Sequence, residues 1–183
     1  MIPLTRSQFL TLTGLDAEQF KSLYRRDQLP FLGMGLPKPA LEDLRHREAY
    51  TPIEAVMMVL ADDLCVDGGL ERSTAARIIG HWPEHTITKI DSAENATDPI
   101  WIASISWSEV FEARIVHHQF VLSGTISSIF AELDTWQFDD GVRPRDHVHR
   151  IVLCNLTRAA RLVRQRARDL LGRELPQRWT IPG

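Results

Sequence analysis

The sequence predicts a mainly α-helical chain with minor β content. Apolar residues recur at helical spacing in the first 80 residues and again near the end of the chain. Capping residues stand before these runs and glycines after them. Alternation of period two is confined to the middle, clearest over residues 99–107. At 183 residues and 44% hydrophobic content, the chain can build one good-sized core or two small ones.

Leu4 to Thr13 reads as the first helix, with Thr5 or Ser7 as its cap and Gly14 as its stop. Asp16 with Gln19 three residues on forms a capping box, which starts a second helix from Ala17 to about Arg26. Phe20, Leu23 and Tyr24 form its buried face by spacing, which leaves Lys21 and Arg25 outside. Pro30, Gly33, Gly35, Pro37 and Pro39 prohibit a continuous helix. Arg45 to Tyr50 then reads as an extended return strand, so this excursion suits a wing. Thr51, Pro52 and Glu54 open a third helix with an apolar stripe of Ile53, Val56, Met57, Leu60 and Leu64, which ends near Gly68-Gly69. Ser73 to Gly80 is a further short helix. His81 to Pro99 reads as a loop with short strand content around Thr86–Ile90. Pro99 to Trp107 reads as a strand. Ile115-Val116 and Phe120 to Leu122 have strand character, and Ile126 to Leu133 has helix character.

The last element is expected to be one long helix from Arg145 to Gly172. Val148, Val152, Leu156, Ala159, Val163, Ala167 and Leu170 are spaced three or four apart, a near-heptad seam. Two uses compete for it: a dimerisation helix, with the seam from Val152 to Leu170 pairing with its copy, or a basic arm on DNA. Packing inside the monomer is the third possibility.

Charge divides the chain. Residues 1–50 carry a balance of +1, residues 51–140 of −11 and residues 141–183 of +7. Nucleic-acid binding must therefore be local. Three regions are expected: residues 1–80, an acidic α+β middle over 81–142, and a basic C-terminal helix over 143–183.

Residues 4–80 resemble the MerR-like, excisionase-like winged helix-turn-helix proteins. Leu4 to Leu10 with Thr13-Gly14-Leu15 is similar to the first helix and its turn. Gln19 to Arg26 with Gln28-Leu29-Pro30 is similar to the second helix and the start of the wing. Arg45 to Ala55 is similar to the wing running into the third helix, and Ile53 to Leu64 with Gly68-Gly69 to that helix and its exit. The resemblance covers roughly the first 40% of the chain. Classical members are more basic in the second helix and have a shorter wing.

This resemblance implies binding to double-stranded DNA. In such a frame Arg25 forks onto guanine, Lys21 meets phosphate, and Arg26 does either, with Ser22 beside them. Thr5 and Arg6 hold the backbone at a helix start. Arg45, His46 and Arg47 are wing contacts, joined by Lys38 at the tip. The expected protein is a homodimeric, sequence-specific transcriptional regulator, of prophage or mobile-element type, with no cofactor and no assigned effector. The alternative is a ligand- or protein-binding adaptor whose acidic middle is the working surface.

Other chemistries fit poorly. His81 and His85 are separated by Pro83, and His117-His118 point to opposite sides of a strand. His147 and His149 share a side only if extended, so no metal site is expected. Ser123-Gly124-Thr125 lacks a nucleophile-elbow pattern, and phosphate-binding glycine loops are missing, so an enzyme is not expected. Cys65 and Cys154 are expected to be buried and reduced. No apolar run approaches the roughly 18–20 residues of a membrane helix, and no signal peptide is evident, so a cytoplasmic protein is expected.

Overall fold

A computed structural model describes residues 3–31, 49–81, 83–112, 114–136, 147–176 and 178–179. The chain starts with α1 (Arg6–Thr13), α2 (Ala17–Arg25), α3 (Pro52–Val66) and α4 (Arg72–His81), followed by two short helices, α5 (Pro83–Ile87) and α6 (Ile90–Asn95). Then come β1 (Trp101–Phe111), β2 (Arg114–Gly124), α7 (Ile126–Thr135), β3 (Val148–Asn155) and α8 (Leu156–Leu171). Helices predominate, and the β content is one three-stranded antiparallel sheet in the order β2-β1-β3.

Local signals explain the helix bounds. α1, α2 and α3 each open on a two-way capping box, made by Thr5 with Gln8, Asp16 with Gln19 and Thr51 with Glu54. Each box satisfies two backbone N–H groups that the helix cannot. Gly14 ends α1 at φ 79°, a conformation that glycine adopts without strain. Just before α1, Leu4 and Tyr50 exchange backbone hydrogen bonds of 2.8 and 3.0 Å, an isolated antiparallel bridge that brings the entries of α1 and α3 together.

α3 is the axis of the core. Every residue from Pro52 to Ala61 is buried, because α1, α4 and α8 pack around it. The sheet has two faces. Ile102, Val121, Val152 and Cys154 face the helical core, whereas Ala103, Ile105 and Leu122 face Ile129 and Leu133 of α7. The period of two in β1 produces this division. The main core runs from Leu4 to Trp179 and crosses the boundaries expected at residues 80 and 142.

The long C-terminal helix is corrected. Residues 148–155 are a strand, and the helix begins only at Leu156. Val148 and Val152, four apart, fit helical spacing, but Val148, Ile151 and Val152 are β-branched and suit a pleated surface. Asn155 marks the change, its side chain accepting from the Arg158 N–H at 2.8 Å.

The dimerisation seam is corrected with it. Val152, Leu156, Ala159, Val163 and Ala167 lie in the chain's own core; only Leu170, 62% exposed, remains open. α1, α3 and α6 cover the apolar face of α8. The expected loop with strand content over 81–99 is instead α5 and α6. Cys154 is buried and Cys65 half-buried, and both are free thiols. Burial pushes the Cys154 thiol up, out of the reactive range. Among the described residues no helix is long and apolar enough to cross a membrane.

Candidate nucleic-acid interface

α2 is held from beneath by one aromatic side chain. Phe20 is buried and meets Phe9 and Tyr50 edge-on, with ring centroids 5.8 Å apart in each pair. Phe31 joins the same cluster against Phe9 and Tyr50. Edge-to-face pairs of this kind add to area burial and fix orientation. The expected buried face is narrower than its spacing suggests. Leu23 is half-buried, and Tyr24 is 47% exposed although its ring stacks on Phe20.

The opposite face is open. Lys21, Arg25 and Arg26 are exposed, and Ser22 is half-buried. Lys21 lies 3.8 Å from Glu18 in an exposed pair, a weak tie. Arg25 and Arg26 form no ion pair among the described residues. Arg6 lies over the Phe20 ring, its guanidinium carbon 4.9 Å from the centroid. This contact aligns Arg6 beside α2 while leaving it exposed. Thr5 is already engaged as a cap: its hydroxyl accepts from the Gln8 N–H. Thr5, Arg6, Lys21, Ser22, Arg25 and Arg26 therefore share the α1–α2 unit. Lys38, Arg45, His46 and Arg47, the expected wing contacts, lie outside the described residues.

The basic arm on α8 is corrected. Nη1 of Arg158 donates to both carboxylate oxygens of Asp63, at 2.8 and 2.7 Å. Arg161 donates to the carbonyl oxygens of Glu94 and Ala96. Arg164 pairs with Glu94 and also donates to the Leu175 and Pro176 carbonyl oxygens. Arg166 donates to the Leu12 carbonyl oxygen, and Arg168 pairs with Glu174. These α8 arginines thus neutralise acidic residues and orphan carbonyls of the same chain. Sequence reasoning missed these roles because every partner except Glu174 and the two tail carbonyls is at least 60 residues away. Only the surplus of acid over 51–140 hinted at them.

The histidines are rearranged as well. His149 is extended, not helical, and stands at a bulge where Ser106 opposes Arg150 and Trp107 opposes Val148. Ser108 Oγ lies 2.8 Å from His117 Nδ1 and 3.4 Å from His149 Nδ1. His118 points to the other side of β2, as expected, and stacks on Trp107 at 4.0 Å. Among the described residues no group of three or more His, Cys, Asp and Glu is arranged to hold a metal ion.

No family model matches the chain, and no curated protein matches it.

Proposed function

We propose that the chain binds double-stranded DNA through α2 and acts as a sequence-specific transcriptional regulator. The observation that carries this reading is the two-sidedness of α2. Phe20 anchors one side in an aromatic cluster, while Lys21, Arg25 and Arg26 stand on the other. A reading helix requires such a division, with its scaffold side immobile and its donors exposed. Arg25 and Arg26 are suited to fork onto a guanine edge, and Lys21 to neutralise a phosphate. The seam of α8 plays no part in the proposal, because it packs inside the monomer.

Fluorescence anisotropy with a duplex from the region upstream of the protein's own gene, and with a scrambled duplex, tests the reading. The native duplex should bind more tightly. Arg25→Ala should cost the native duplex about tenfold or more and bring the two duplexes closer. Lys21→Ala should weaken both alike and reduce the salt slope by about 1. Equal binding of both duplexes by the unaltered protein sinks the proposal.

One observation favours the adaptor reading. Val110 and Ile115, directly paired across β1 and β2, are 76% and 67% exposed at the hairpin end. Exposed apolar pairs of this kind mark contact surfaces. A reporter under the upstream region separates the two. Arg25→Ala should abolish its regulation if α2 is the working surface, and Val110→Ser with Ile115→Ser should do so if the hairpin is.

A further inference from the structure

A crevice of about 390 Å³ opens between the end of α2 and α4. One helical face of α4 forms its first wall. Ser73, Arg77 and His81 lie four apart along that face, with Ala76 and Gly80 between them. The second wall is the chain that leaves α2, namely Asp27, Leu29 and Pro30. The walls converge at Gly80, where a β-carbon would lie 2.3 Å from the Pro30 carbonyl oxygen. Only glycine allows that approach, so the crevice is a built junction between two segments that are 50 residues apart.

Its chemistry is asymmetric. Arg77, His81 and Ser73 line the α4 wall, and Asp27 lines the facing one. Arg77 is tied to β2, one nitrogen donating to Gln119 Oε1 at 2.9 Å while Gln119 donates to Ser104 Oγ. A guanidinium fixed in this way still has N–H groups for a carboxylate. Asp27 is held in the left-handed region at φ 56°, which aspartate tolerates and most side chains do not.

We propose that this crevice binds a small zwitterion of the α-amino-acid class, carboxylate toward Arg77 and ammonium toward Asp27. The volume suits a small metabolite. Asp27 directly follows Arg25 and Arg26, so the ligand clamps the last turn of α2 against α4. That regulatory consequence rests on the DNA-binding reading above; the ligand site itself does not.

Isothermal titration of the full chain with each common amino acid at millimolar concentration tests the site. At least one should bind. Its counterparts lacking the amine or lacking the carboxylate should not. Arg77→Ala and Asp27→Asn should each weaken binding about tenfold or more, because each leaves one ligand charge unpaired. Asparagine keeps the left-handed preference at position 27, and Gln119→Leu, which removes the tie to β2 but no crevice group, should retain binding. Thermal melts of each variant report folding separately. Binding by no amino acid, or binding indifferent to both Arg77→Ala and Asp27→Asn, overturns the proposal. Addition of the bound amino acid should then change the affinity of the upstream duplex. If it binds without that change, the crevice stands as a ligand site and its regulatory role falls.

Discussion

The Arg166 guanidinium lies against Gly14, the turn between α1 and α2, and donates to the Leu12 carbonyl oxygen at 2.9 Å. The last helix thus braces the proposed reading unit from a distance of 154 residues in sequence. A charged donor on an otherwise orphan helix-end carbonyl contributes about 1.5–3 kcal/mol. Arg166→Ala should lower stability by that order in urea denaturation. Gly14→Ala should cost about 1 kcal/mol or more from backbone strain at positive φ, and the new methyl would also meet Arg166 Nη1 at 3.1 Å. In the Arg166→Ala background only the strain remains, so the two losses should not add. Strict additivity would show that the guanidinium does not press on the turn.

The α8 seam makes a second test. Val163 and Leu156 are fully buried in the monomer core, and Leu170 is exposed. Leu156→Ala should cost about 2–5 kcal/mol and Val163→Ala somewhat less, each by lost burial and the cavity left behind. Leu170→Ser should change stability by less than about 0.5 kcal/mol. Light scattering should show the oligomeric state unchanged in all three. A change of oligomeric state in Val163→Ala, with its stability intact, would restore the seam as an interface between copies.

What the sequence disclosed follows from the range of the forces involved. The capping box at Asp16, the Thr51 cap with Glu54 three residues on and the stop at Gly14 are contacts within four residues, and each was legible; the Thr5 cap was legible only as one of two choices with Ser7, and its box with Gln8 was not. The period of two in β1 was legible for the same reason. Residues 148–155 were not, because a spacing of four satisfies both a helix face and every second position of a strand. Only their β-branched content argued for the strand, and the cap at Asn155 went unread. The exposed face of α2 was legible from spacing around Phe20; the half-exposure of Tyr24 was not, since it depends on what α2 packs against. The pairing of the α8 arginines was beyond reach, because Asp63 and Glu94 become their neighbours only once the sheet and the helices have closed on α3.

Glu94 holds the tail. Its carboxylate pairs with Arg164 and accepts from Trp179 Nε1 at 2.8 Å, while the Arg164 guanidinium lies over the Trp179 ring. Arg164 and Glu94 are only 15% and 10% exposed, so removing Glu94 leaves the Arg164 guanidinium without its partner and largely shut off from water. Glu94→Ala should cost about 3–5 kcal/mol. Glu94→Gln, which keeps a hydrogen-bonding oxygen, should cost less. Limited proteolysis should then cut near residues 172–179 in Glu94→Ala before it cuts elsewhere. Equal resistance of the tail in the variant and the unaltered protein would refute this role of Glu94.

Asp63 and Arg158 make stability depend on pH in an unusual direction. Burial raises the Asp63 carboxyl above the ordinary aspartate range, outweighing the Arg158 hydrogen bond and charge that lower it; Asp67 and Asp62 add to the rise. Between the ordinary aspartate value and the raised one, the folded chain therefore holds more protons here than the unfolded chain. The Asp63 contribution to stability must then grow as pH falls through that window and decline as pH rises through it. Carbon-13 titration of the side chain should place its midpoint above the ordinary aspartate value. Arg158→Ala removes the two lowering influences, so the midpoint should move further up. The same variant should be destabilised at neutral pH, where it strands a half-buried carboxylate. That loss should shrink as acid neutralises Asp63. A midpoint that falls in Arg158→Ala, or a loss that grows with acid, would mean that the guanidinium is not what steadies this carboxylate.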